Sequence, residues 1–100
     1  MSENAVIVRF DYGSTDLDPL FELEEALEDA IEAAKVGEFD GNEIAESGSD
    51  GLFYMYGPDA DALFAVIRPI LADATCIRNA VATLRYGAPD EDARQVETKI

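Results

Sequence analysis

The sequence predicts an α+β domain, and three observations carry the prediction. Two segments repeat apolar residues at three- and four-residue spacings, the period of a helix with one buried face. Four shorter segments are β-branched and aromatic, or alternate apolar with polar, as strands do. Their order along the chain is strand, helix, strand, strand, helix, strand. That order is the split βαβ repeat of the ferredoxin-like sandwich, an antiparallel four-stranded sheet with two helices on one face. At 100 residues the chain is expected to be a single domain, residues 1–100, long enough for one core without disulfide or metal support.

The first strand, Ala5 to Tyr12, carries Val6, Val8, Phe10 and Tyr12 on one parity and Arg9 and Asp11 on the other. The first helix sets Leu20, Leu23, Leu27, Ile31 and Ala34 in a stripe. Asp18 is its expected N-cap, before Pro19 at the first helical position, and Gly37 its expected stop. Residues 37–47 read as a weaker strand in which Gly41 marks a bulge or a close backbone approach. "SGSDG" supplies the turn into the third strand, Leu52-Phe53-Tyr54-Met55-Tyr56. The second helix starts near Pro58 or Asp59 and buries Leu63, Phe64, Ile67, Ile70, Leu71 and Ala74, while Pro69 inside it removes a backbone donor and predicts a kink. "NAVATLRYG" is the fourth strand, and residues 88–100 read as an acidic tail whose QVETKI segment suits a short edge strand. Tyr12-Gly13, Tyr56-Gly57 and Tyr86-Gly87 each close a strand, the punctuation expected of an internal pseudo-repeat.

Charge narrows the function classes. The net charge is -15, and residues 1–50 hold 15 acids against only Arg9 and Lys35. A chain this acidic repels phosphate backbones and anionic membranes and attracts basic proteins, although a merely solvated surface has the same composition. The expectation is therefore no nucleic acid and no membrane partner. Cys76 is the lone cysteine and there is no histidine, so a Cys/His nucleophile pair or metal site is excluded and Cys76 is expected to be a buried structural thiol. The amino end is acidic where a signal peptide would be basic, and no run approaches the ~18 apolar residues of a membrane span, which predicts a soluble cytoplasmic protein.

Three acidic clusters could carry acid and base chemistry: Asp16 with Asp18, Asp59 with Asp61, and Glu38 with Asp40 and Glu43. The first two sit at helix starts, where carboxylates cap backbone donors. "FDGNE" offers oxygen ligands to a cation but does not continue into a twelve-residue calcium loop, and no phosphate cradle, nucleophile elbow or P-loop occurs. No catalytic residue, metal or cofactor is expected.

The third strand is apolar or aromatic on both parities. In the expected topology the first and third strands are central and mutually parallel, and the face away from the helices is open. Phe53 and Met55 are assigned to the core. Leu52, Tyr54 and Tyr56 go to the open face with Ile7, Arg9 and Asp11, because a tyrosine keeps its hydroxyl in water while its ring packs. Such a sheet is similar to the RNA recognition motif. The run Asp50-Gly51-Leu52-Phe53-Tyr54, however, has an acid at the basic position and lacks the first aromatic and the small residue. Self-association as a homodimer, a protein partner, or cover by QVETKI or by the Glu43 to Gly51 connection are the remaining uses of the face.

Small size, acidity, the βαββαβ order and an Asp-Gly turn opening the hairpin in "FDGNE" resemble the bacterial ribonuclease E inhibitor proteins of the B type, over the stretch from Gly37 to Tyr86. The resemblance implies an acidic protein that binds and restrains a basic enzyme. The function expected is a protein-binding module, of the inhibitor or immunity type, acting on a basic partner through Leu52, Tyr54 and Tyr56 and through Glu22, Glu25, Glu28, Asp29 and Glu32 of the first helix. The alternatives are a small-ligand or enzymatic domain using the open sheet with Asp11, Glu38 and Asp40, and a structural domain that only self-associates.

Overall fold

In the computed structural model, which describes residues 3–87 and 94–100, the chain runs β1 (Asn4–Asp11), α1 (Asp18–Ala34), β2 (Glu38–Ile44), β3 (Asp50–Gly57), α2 (Ala60–Asp73), β4 (Arg78–Tyr86) and β5 (Arg94–Lys99). The five strands form one sheet in the order β2-β3-β1-β4-β5, antiparallel at every pairing. The fold is α+β with two helices, and its connectivity through β4 is roughly ferredoxin-like, with five strands where four were expected. The acidic part of the expected tail, residues 88–93, lies outside the described residues. Among those described, no helix is long and apolar enough to cross a membrane.

Two expectations about the sheet are corrected. β1 and β3 are adjacent and central but antiparallel, with Val8 opposite Phe53 and Asn4 opposite Gly57. The crossover through α1 returns β2 in the direction of β1, and the hairpin then reverses β3. The end of the chain does not fold over the open face. β5 pairs edge-on with β4 from Val81 opposite Lys99 to Tyr86 opposite Arg94.

Both helices contribute to the core that covers one side of the sheet. Val6, Val8 and Phe10 of β1, Phe53 and Met55 of β3, and Ala82 and Leu84 of β4 meet Leu20, Leu27 and Ile31 of α1 and Leu63, Ile67 and Leu71 of α2. Phe64, Ile70 and Ala74 pack partly buried against this cluster, whereas Ala34, at the frayed end of the first stripe, is exposed.

The helix ends follow from local donors and acceptors. Leu17, not Asp18, occupies the N-cap position of α1 and makes no side-chain cap. The Asp16 carboxylate accepts the Asp18 N–H at 3.1 Å instead, which leaves Asp18 as the acid of the first turn. α2 is capped by Asp59, whose carboxylate accepts from the N–H groups of Asp61 and Ala62. α1 ends at Lys35, left-handed at φ 56, so the helix stops two residues before Gly37. α2 runs unbroken through Pro69.

Gly41 resolves as a bulge. The β2–β3 register shifts between Phe39 and Gly41, and nothing lies within 4 Å of a Cβ built on Gly41. Asp40-Gly41 is thus an irregularity inside β2 and not the turn of the hairpin, which is closed by Gly48 N–H to Ala45 C=O and Ala45 N–H to Asp50 C=O. Cys76 is half-buried rather than buried, with Sγ 3.9 Å from the Pro19 carbonyl oxygen.

Candidate functional site

Strand periodicity and the five-strand register together build the face opposite the helices. Three rows cross it completely. Glu38, Tyr56, Ala5, Arg85 and Gln95 lie in the first; Gly41, Tyr54, Ile7, Thr83 and Glu97 in the second; Glu43, Leu52, Arg9, Val81 and Lys99 in the third. A fourth, incomplete row sets Asp50 and Asp11 opposite Arg78.

The predicted open-face residues Leu52, Tyr54 and Tyr56 are all here, half-buried by their neighbours, while Phe53 and Met55 between them are wholly buried on the other side. Ile7, Arg9, Leu52, Val81, Thr83 and Glu97 line a shallow depression of ≈ 320 Å³ that crosses the middle of the face. No element of the described chain lies over it. It is an apolar floor with charged walls.

Burial and the Glu43 carboxylate nearby push the Tyr54 hydroxyl above its usual range. Tyr54 therefore stays protonated at neutral pH and can serve as a donor and a packing ring, not as a base. Arg9 Nη2 stands 3.9 Å from the Asp50 carboxylate, the arginine largely and the aspartate partly in solvent, a loose pair of small energetic weight.

The other predicted contact residues lie on the far side of the molecule. Glu22, Glu25, Glu28, Asp29 and Glu32 are exposed on α1, with the core and the sheet between them and Tyr54. Glu24 differs from them: it is half-buried, accepts a hydrogen bond from the Asn42 side chain of β2, and its carboxyl is pushed up by burial. Glu24 is thus set apart from the five contact acids, which Asp18 at the start of the helix joins in solvent.

The carboxylates proposed for an enzymatic reading are not brought together. Glu38 lies opposite Tyr56 and Asp11 opposite Asp50, at the two ends of β3, roughly 20 Å apart at strand rise, and Asp40 sits in the bulge. Of the helix-start acids, Asp16 and Asp59 cap backbone donors, and Asp61 accepts the Tyr86 hydroxyl at 2.5 Å.

Sequence reasoning associated Glu38 with the open sheet but missed most of the charged rim: Glu43 as an open-face residue, and Arg85, Glu97 and Lys99 altogether. The alternation Val81-Thr83-Arg85 in "NAVATLRYG" was a signal for β4. QVETKI carried no signal for its neighbour, because an edge strand is placed by register and not by its own composition. No family model, no curated protein and no solved structure matches this chain.

Proposed function

We propose that this chain is a small acidic protein-binding module, of the inhibitor or immunity kind, with two separate contact surfaces. The open face of the sheet makes an apolar protein contact, and the exposed side of α1 draws a basic protein. The observation that carries the reading is the segregation of the two sets. Leu52, Tyr54 and Tyr56 gather with Ile7 and Val81 on one side of the sheet, and the five α1 carboxylates stand on the other. One small partner cannot touch both.

The acids of α1 work against the helix that carries them. Glu25 and Asp29, and Glu28 and Glu32, are like-charge pairs four residues apart, each costing about 0.2–0.5 kcal/mol. Glu32 also lies in the last turn, where the helix dipole disfavours an anion. Charge held at the expense of stability fits a surface kept for a partner, and the resemblance to the B-type ribonuclease E inhibitors points toward a basic one.

The test pairs stability with association. In Glu25→Gln/Glu28→Gln the melting temperature should rise, because repulsion is relieved, and added salt should raise the wild type in the same way. Association with a basic protein captured from the native extract should slow, with its salt dependence reduced. A captured protein that binds wild type and double variant at one rate would remove the α1 surface from the reading.

A further inference from the structure

We infer that the occupant of the open face is a second copy of this chain, seated face to face about a two-fold axis running along β1. This rests on the reading of that face as a protein contact and names what fills it. The first observation is charge. The chain carries -15, yet the three complete rows hold three acids, Glu38, Glu43 and Glu97, against three bases, Arg9, Arg85 and Lys99. The incomplete fourth row adds Asp11 and Asp50 against Arg78, so the face as a whole is one charge short of neutral and two copies meet with little local repulsion. Contact through α1 would instead set the exposed carboxylates Glu22, Glu25, Glu28, Asp29 and Glu32 against their own copies, whereas contact through the sheet turns both α1 helices outward.

The second observation is where those charges stand. Glu38 and Glu43 are on β2 at one edge, Arg85 and Lys99 on β4 and β5 at the other, and β1 is the middle strand of the five. A half-turn about a line along β1 lays β2 of one copy over β5 of the other and β3 over β4, and keeps each row over its own equivalent. Glu43 then faces the partner's Lys99. Leu52 faces the partner's Val81, and Tyr54 faces the partner's Thr83. Tyr56 faces the partner's Arg85, a cation against a ring.

Sheets packed in this aligned way keep their strands within about 30° of each other, so these pairings hold near the axis and loosen toward the corners. Two residues of β1 are brought toward their own charge: Arg9, whose guanidinium already leans on Asp50, and, in the incomplete fourth row, Asp11, whose carboxylate accepts from the Asn79 side chain. Five strands at ~4.8 Å and eight residues at ~3.4 Å give a face of roughly 20 by 27 Å. That is below the ~800 Å² per partner of a standard interface even after allowing for side-chain relief, so the dimer is reversible rather than obligate.

Sedimentation equilibrium from about 1 to about 500 μM brackets the affinity of so modest an interface. The wild type should pass from monomer to dimer over that range, and Tyr54→Glu should remain monomeric. Glu43→Lys and Lys99→Glu should each weaken the dimer roughly tenfold, since the axis repeats each lost pair twice. Glu43→Lys is the sharper case, because it lowers the repulsive net charge and would strengthen any non-specific association. The double variant restores opposite charges at unchanged net charge and should return the affinity to within about threefold of wild type. A wild type monomeric throughout, or a double variant no better than the singles, overturns the second copy. If the wild type is monomeric but Tyr54→Glu loses a captured partner, the reading of the face stands and only its occupant is wrong. If Tyr54→Glu alters neither self-association nor capture, both fall.

Discussion

Phe53→Ala should be the most damaging truncation in the sheet, costing about 3–5 kcal/mol of the ~5–15 kcal/mol that holds a domain of this size together. Phe53 is wholly buried on β3, with its ring centroid 4.5 Å from that of Phe10 and 5.6 Å from that of Phe39. Its ring ties β3 to β1 through Phe10 and to β2 through Phe39. Urea unfolding gives the cost directly. Leu52→Ala, one residue away on the open face, is the matched control and should cost no more than ~1 kcal/mol, since that side chain keeps water on one side. Equal losses at the two positions would mean that the faces of β3 have been assigned wrongly.

The second large effect is expected where the end of β3 meets the start of β2. A Cβ built on Gly37 falls 2.1 Å from the Tyr56 carbonyl oxygen, and one on Gly57 falls 2.2 Å from that of Val36, so the two glycines stack backbone on backbone. Neither clash can be relieved by rotating a side chain. Gly37→Ala adds the strain of φ +150 and should cost about 3 kcal/mol or more, with a fall in melting temperature on the order of 15 °C. Gly41→Ala isolates the backbone term, because Gly41 also has positive φ, at +126, but meets nothing within 4 Å. It should cost only ~1–2 kcal/mol. The difference between the two variants measures the close approach.

Those two sites also show what the sequence could and could not reveal. The faces of β3 were legible because period-2 patterning places Phe53 and Met55 on one side, and because a tyrosine row tolerates partial exposure where a phenylalanine does not. Asp59 was legible as a cap because its carboxylate acts within three residues. Asp18 was misread as the cap of α1 because Asp16, two residues earlier, takes the donor. The Gly41 bulge was legible as one of two alternatives, and the register shift beside it and the empty space around it decide between them.

Long-range features were harder. The antiparallel relation of β1 and β3 depends on the hand of a crossover and the reversal of a hairpin, which no single segment encodes. The position of β5 depends on its pairing with Val81 to Tyr86, across residues 88–93. For the candidate site, the row Leu52, Tyr54 and Tyr56 was visible from one strand, but the charged rim draws from four strands and exists only once the register is known.

The central claim is that the open sheet face is the apolar contact surface and that α1 faces outward. Hydroxyl-radical footprinting of the whole chain at increasing protein concentration tests it with internal controls. Tyr54 and Tyr56 should lose reactivity as concentration rises, while Phe21, half exposed on α1, should react at a constant rate. Tyrosines 54 and 56 that react alike at every concentration, or protection that appears at Phe21 instead, would contradict the account.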